Sequence, residues 1–118
     1  MVQGIAASLT AIQAVAERFN RTARNLANSN TDGYRAERVT LSEGDQPGTV
    51  KAVFGRDESP GPVRLEETEE GPRLVEMANV DLAREMVTML ADRRAIEANL
   101  AALRTADQVL GSIIDIKS

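Results

Sequence analysis

At 118 residues and 42% hydrophobic content the chain is the size of one domain with a core. Two Phe, one Tyr and no Trp leave that core to Ala, Leu, Val, Ile and Met, the set that suits helix packed on helix. A net charge of −4 and a lack of Cys and His exclude most function classes: there is no concentrated positive field for nucleic acid, no thiol nucleophile, no soft metal ligand and no ordinary general base.

The N-terminal segment has no basic leader, its first positive side chain being Arg18, and Gln3, Ser8, Thr10 and Gln13 interrupt its apolar character. No cleavable secretory signal is expected, and no run of ~18 apolar residues predicts membrane insertion. Ile5, Leu9, Ile12, Ala16, Phe19, Ala23 and Leu26 instead recur at alternating spacings of four and three, which predicts an amphipathic helix over about 3–28. Asn28, Asn30, Asp32 and Gly33 tolerate left-handed backbone and should end it in a tight turn.

Glycines and prolines punctuate residues 35 to 78 and exclude regular helix over most of that stretch. Thr49–Phe54, Pro62–Leu65 and Arg73–Val75 are the strand candidates, and the run Glu66, Glu67, Glu69, Glu70 is expected to be a solvated loop. The chain therefore divides into an N-terminal helix and turn (1–35), a short variable insert (36–78) and a long C-terminal helix (79–118).

That last helix is expected from about 80 to 116, with Asn79 as N-cap and Asp81 in its first turn. Leu82, Met86, Met89, Arg93, Ile96, Leu100, Leu103, Asp107, Leu110 and Ile114 form its heptad seam. Such a helix would run about 50 Å, whereas a compact domain of this length has a radius of gyration of about 13–14 Å. Neighbouring subunits are needed to cover it. The whole is expected to be mainly α: an elongated, coiled-coil-like hairpin of the two terminal helices with a partly β or extended insert. If the helices pair antiparallel with residue numbers summing to about 110, Arg93 faces Glu17, and Asp107 meets the N–H groups at the first turn of the first helix. These three are the register candidates.

No constellation carries chemistry. Asp92 and Glu97 are five residues apart, off a shared helix face, and Glu85, Asp107 and Asp115 read as surface charge. The glycines match neither G-x-G-x-x-G nor P-loop spacing. No catalytic, cofactor or metal site is expected. The predicted site is an assembly surface of Ile5, Leu9, Ile12, Phe19, Leu26, Leu82, Met86, Met89, Ile96, Leu100, Leu103, Leu110 and Ile114.

Two stretches, NLANSNTDGY from Asn25 to Tyr34 and NVDLAREMVTMLADRRAIEAN from Asn79 to Asn99, together resemble the terminal signatures of the flagellar axial family of rod and hook proteins. The short middle, with GTVKAV followed by DESPGPVRL, looks most like the proximal-rod branch. Ile96 and Ala78 stand where the family usually has an aromatic and a proline, and the ending LGSIIDIKS is nearer to distal-rod and hook members. The resemblance marks Asn25, Asn28, Asn30, Thr31, Gly33 and Tyr34 as a signature turn. It implies a non-enzymatic subunit, exported unfolded by the flagellar type III apparatus, that assembles with itself and other rod subunits in the periplasm and transmits torque. A different class fits the same seams: a cytosolic helical-hairpin adaptor that binds a partner helix without polymerising. An enzyme accessory module is the weakest alternative.

Overall fold

The computed structural model describes residues 2–117, and the side chains of residues 4–116. Two helices frame two β-hairpins: α1 (Val2–Ala27), β1 (Glu37–Glu43), β2 (Val50–Arg56), β3 (Val63–Thr68), β4 (Gly71–Glu76) and α2 (Leu82–Lys117). Both helices lie where the seams put them. The insert holds more regular structure than its breakers suggested, because each short strand is completed by an adjacent antiparallel partner. β1 was not anticipated at all, and Glu66 and Glu67 belong to β3, leaving only Glu69 and Glu70 in the turn. The N-cap also differs. Asp81 Oδ1 accepts from Arg84 N at 3.2 Å, so Asp81 caps α2, and Asn79 is employed elsewhere.

The helices pack antiparallel: Arg18 meets Asp92 near the middle, and Gly4, Ile5 and Ser8 lie against Ala102, Leu103, Thr105 and Ala106. The β1–β2 hairpin covers the opposite side of α1 through Val50, Ala52 and Phe54, which line a groove with Thr10, Gln13 and Ala14. Alternation fixes which hairpin face does this, since Val39 and Leu41 share the side of Phe54 and Ala52 across the ladder. Phe54 takes the Arg21 guanidinium over its ring at 4.7 Å.

The molecule measures 82 × 24 × 17 Å with a radius of gyration of 20.9 Å, far above the value of about 13.5 Å for a compact chain of this size. Helix α2, at 36 residues, spans about 54 Å. The remaining length is the β3–β4 hairpin, which projects beyond the α1–α2 turn end with Val63, Leu65 and Leu74 exposed. At the other end α2 overruns the 26-residue α1 by roughly 15 Å.

Candidate assembly site

The two helices meet at the edges of their apolar stripes, as where Ile5 lies against Leu103, and not along their centres. The buried positions are Ala14, Val15, Thr22 and Asn25 on α1 and Glu85 and Asp92 on α2; all but Ala14, which faces the β1–β2 hairpin, lie one residue before the predicted seam. Each helix is thus rolled by about 100° from a heptad contact. Leu82, Met86, Leu100, Leu110 and Ile114 are consequently exposed, Met86 at 60% and Ile114 at 66%, while Met89, Ile96 and Leu103 are half-buried. On α1, Leu9 is exposed and Ile5, Ile12, Phe19 and Leu26 are half-buried. Because the helices run antiparallel and are rolled alike, both stripes fall on the same side of the pair. A groove of about 400 Å³ lined by Phe19, Leu26, Met86, Met89, Leu90 and Arg93 marks where they adjoin.

The cause of the roll is polar. Arg18 donates from Nε and Nη2 to Asp92 Oδ1 at 2.8 and 2.5 Å, and Arg38 Nη1 donates to Glu85 Oε1 at 2.5 Å. Asp92 is 0% exposed and Glu85 nearly so. A buried carboxylate without a cation is costly, so these pairs fix which faces turn inward. Sequence spacing read both acids as surface charge, and that expectation fails here.

The expected Glu17–Arg93 pair does not form. Its place is taken one step along each helix by Arg18–Asp92, with the antiparallel alignment unchanged. Arg93 pairs with Glu97 on the surface at 3.1 Å, Glu17 is exposed beside the β1–β2 hairpin, and Asp107 is exposed. The roll that brings Arg18 onto the buried Asp92 turns their neighbours outward.

The signature turn is built around Asn25, which is 1% exposed. Its Nδ2 donates to the Glu37 carbonyl at 2.9 Å, and its Oδ1 accepts from Glu37 N at 2.8 Å and from the Tyr34 hydroxyl at 3.0 Å. The side-chain amide thus pairs with the first residue of β1 as a neighbouring strand would. Burial and nearby Glu37 push the Tyr34 phenol up. Asn28 caps the end of α1 by donating to the Arg24 carbonyl, and Thr31 donates to Asn28 Oδ1. Gly33 takes φ 74° and donates from its N–H to the Glu76 carbonyl at 2.9 Å, a conformation in which a Cβ is strained. Asn30 is exposed at the tip.

Residues outside the predicted signature set tie this turn to the insert. Asn79 Oδ1 accepts from Ala36 N at 2.6 Å, and its Nδ2 donates to the carbonyls of Asp57 and Ser59 at 2.8 Å each. Arg64 clasps Asp32 with two hydrogen bonds of 2.7 Å, which holds that carboxyl below the usual carboxylate range. Asp57 is lowered as well, by hydrogen bonds from Ser59 and by Arg38. Asn79 lies inside a quoted signature stretch; nothing in one sequence marks Arg64. Among the described residues no group of acidic side chains is placed to hold a metal ion, and no helix is long and apolar enough to cross a membrane.

Residues 73–116 match the family described as flagellar basal body rod FlgEFG protein C-terminal. The flagellar basal-body rod protein FlgC of Yersinia enterocolitica is 31% identical over 115 residues, which covers 86% of this chain and 86% of that relative. The flagellar basal-body rod protein FlgG of Borreliella burgdorferi is 46% identical over 44 residues, 37% of this chain, and that match spans only 17% of the relative's length.

Proposed function

The chain belongs to the flagellar basal-body rod protein family, a structural and non-enzymatic family of the flagellar basal body, and from that premise we propose how it assembles. It packs against copies of itself and against related rod subunits through Ile5, Leu9, Ile12, Phe19 and Leu26 of α1 and Leu82, Met86, Met89, Ile96, Leu100, Leu103, Leu110 and Ile114 of α2. The observation that carries this is the apolar face shared by both helices, with the α2 overrun beyond it. The described part of the chain covers that face only in part and leaves the overrun exposed. The aligned helices then form a stiff element along the rod axis that transmits motor torque, and the signature turn leads the chain into an insert whose β1–β2 hairpin packs back along α1.

Export in the unfolded state through the flagellar type III apparatus, followed by assembly in the periplasm, fits the same design. The fully buried apolar side chains among the described residues are Ala14, Val15, Ala36 and Ala78, all small, so the free chain has little core to resist unfolding. Burial against neighbours supplies what the monomer lacks.

Leu100→Asp tests the surface. Leu100 is 46% exposed, so the free chain should keep its helix content while incorporation into basal bodies, imaged by electron microscopy, is lost. Normal incorporation of this variant would overturn the assignment.

A further inference from the structure

Each strand has one edge that is not paired within its hairpin, and at three of the strands that edge is engaged or blocked. At β1 the Asn25 amide bonds the N–H and C=O of Glu37, and at β2 Val50 N donates to the Thr10 hydroxyl. At β4 the Glu76 carbonyl accepts from Gly33 N, and Pro72 has no N–H to offer. The edge of β3 is open. Met77 N donates to the Pro62 carbonyl, which makes 62 and 77 a hydrogen-bonded pair, so by alternation the N–H and C=O groups of Val63, Leu65 and Glu67 point away from β4. Among the described residues nothing bonds those groups, and β3 and β4 pack against no other helix or strand. Val63, Leu65 and Leu74 form one face of this hairpin and are 62%, 64% and 68% exposed. Two strands alone are only marginally stable in water.

We propose that β3 of a second copy of this chain pairs antiparallel with this edge about a two-fold axis at Leu65, joining two hairpins into one four-stranded sheet in the order β4–β3–β3–β4. The sequence of β3 is complementary to itself in that register. Leu65 faces Leu65, Val63 faces Glu67, and Arg64 faces Glu66, while the three outward residues of each strand exchange about six backbone hydrogen bonds. Charge selects the register. An axis at Arg64, Glu66 or Glu67 would set like charges opposite each other, and one at Val63 would leave a single outward pair within the strands. Arg64, Glu66 and Arg73 share the face opposite the apolar one, so the signs alternate across the new sheet from Arg73 to Glu66 to Arg64 of the second copy. Both groups can take the contact: Arg64 holds Asp32 through Nη1 and Nη2 and keeps Nε, and Glu66 meets Arg73 only at 3.5 Å on an exposed surface. A two-fold contact closes on itself, so this sheet joins free subunits in pairs and is separate from the helix surface proposed above. One strand buries far less than the roughly 800 Å² per partner of a stable complex, so the pair forms at high concentration and parts on dilution. While it lasts, it covers an edge that would otherwise template indiscriminate strand pairing.

The chain has no cysteine, so single thiols report the geometry. In the paired sheet the two Leu65 Cα atoms lie about 5.5 Å apart, within disulfide range, whereas the two Leu74 Cα atoms stand three strand spacings apart, about 14 Å. Under oxidation at high protein concentration Leu65→Cys is expected to give a covalent dimer and Leu74→Cys, equally exposed, none. Glu66→Arg should weaken association in sedimentation about 10-fold, and Arg64→Glu combined with Glu66→Arg should restore it, although the combined variant has lost the Asp32 clasp. In the unsubstituted chain, exchange of the Val63, Leu65 and Glu67 amides should slow as concentration rises. Linkage through Leu74→Cys, or none through Leu65→Cys, would overturn the proposal, as would concentration-independent exchange of those amides. Failure of the combined variant to recover would overturn the register. Linkage of Leu65→Cys to a different rod subunit, with none to its own copy, would overturn the choice of partner.

Discussion

Asn25→Ala should cost the free chain about 3–4 kcal/mol. The substitution deletes three hydrogen bonds, those with Glu37 N, Glu37 O and the Tyr34 hydroxyl, each worth about 1 kcal/mol net. Tyr34 is half-buried and recovers part of its loss from water, but the Glu37 backbone groups lie beneath the turn and stay unsatisfied, which adds up to about 1 kcal/mol. For a domain of this size the change lowers the melting temperature by roughly 10–15 °C. Urea and thermal unfolding of the dilute monomer, followed by circular dichroism, measure it. Asn28→Ala, which removes a less buried cap, is the comparison and should cost about 0.5–1 kcal/mol. A cycle with Tyr34→Phe should return a coupling of about 0.5–1.5 kcal/mol. If Asn25→Ala proves no more harmful than Asn28→Ala, the amide does not hold α1 to β1, and the account of the turn is wrong.

Arg18→Met alone strands Asp92 in a buried site and should destabilise by about 3–5 kcal/mol in chemical denaturation, whereas Arg18→Met combined with Asp92→Leu should recover most of that loss. No recovery would mean that packing, not charge, sets the roll of the helices. Glu17 and Arg93 should show coupling below about 0.3 kcal/mol in their own double-mutant cycle, because they face different surroundings; a larger value would restore the direct pair. The Asp32 carboxyl, lowered chiefly by its hydrogen bond to Arg64, stabilises the fold above the ordinary carboxylate pKa of about 3.9, and that contribution fades as pH falls through its lower folded value. Carboxyl NMR titration should find Arg64→Ala moving Asp32 back up towards its ordinary value, and an unmoved titration would refute the clasp. Tyr34 titrates the other way: its raised pKa stabilises the fold below about pH 10 and the contribution is lost as pH rises through the folded value, which alkaline unfolding of wild type against Tyr34→Phe would register.

Within the insert, what was legible followed from how strong the local signal is. Thr49–Phe54 stood out because it is a short apolar run flanked by turn-forming residues, and it holds most of β2. The segment ERVTLSE of β1 alternates, but charged and polar residues outnumber its apolar ones, and only pairing with β2 and burial of Val39 and Leu41 against α1 make it a strand. Asn79 shows a similar limit. Its residue type suits a helix cap, yet Asp81 takes that role, because the Asn79 amide meets Ala36, Asp57 and Ser59, which come near only in the folded chain.

The spacing of apolar residues determined where the two helices run and which stripe of each seeks cover, since that depends only on 3.6 residues per turn. Asn28 to Tyr34 likewise determined that α1 stops sharply, through backbone preferences local to those residues. Which faces turn towards each other was decided only in the tertiary structure. Arg18 with Asp92, Arg38 with Glu85, and Asn25 with Glu37 all join residues apart in sequence, and pairing these buried polar groups outweighs a heptad contact within one chain. Hydrophobic burial is non-directional, so the displaced stripes lose little by waiting for a neighbour, whereas a buried carboxylate cannot wait.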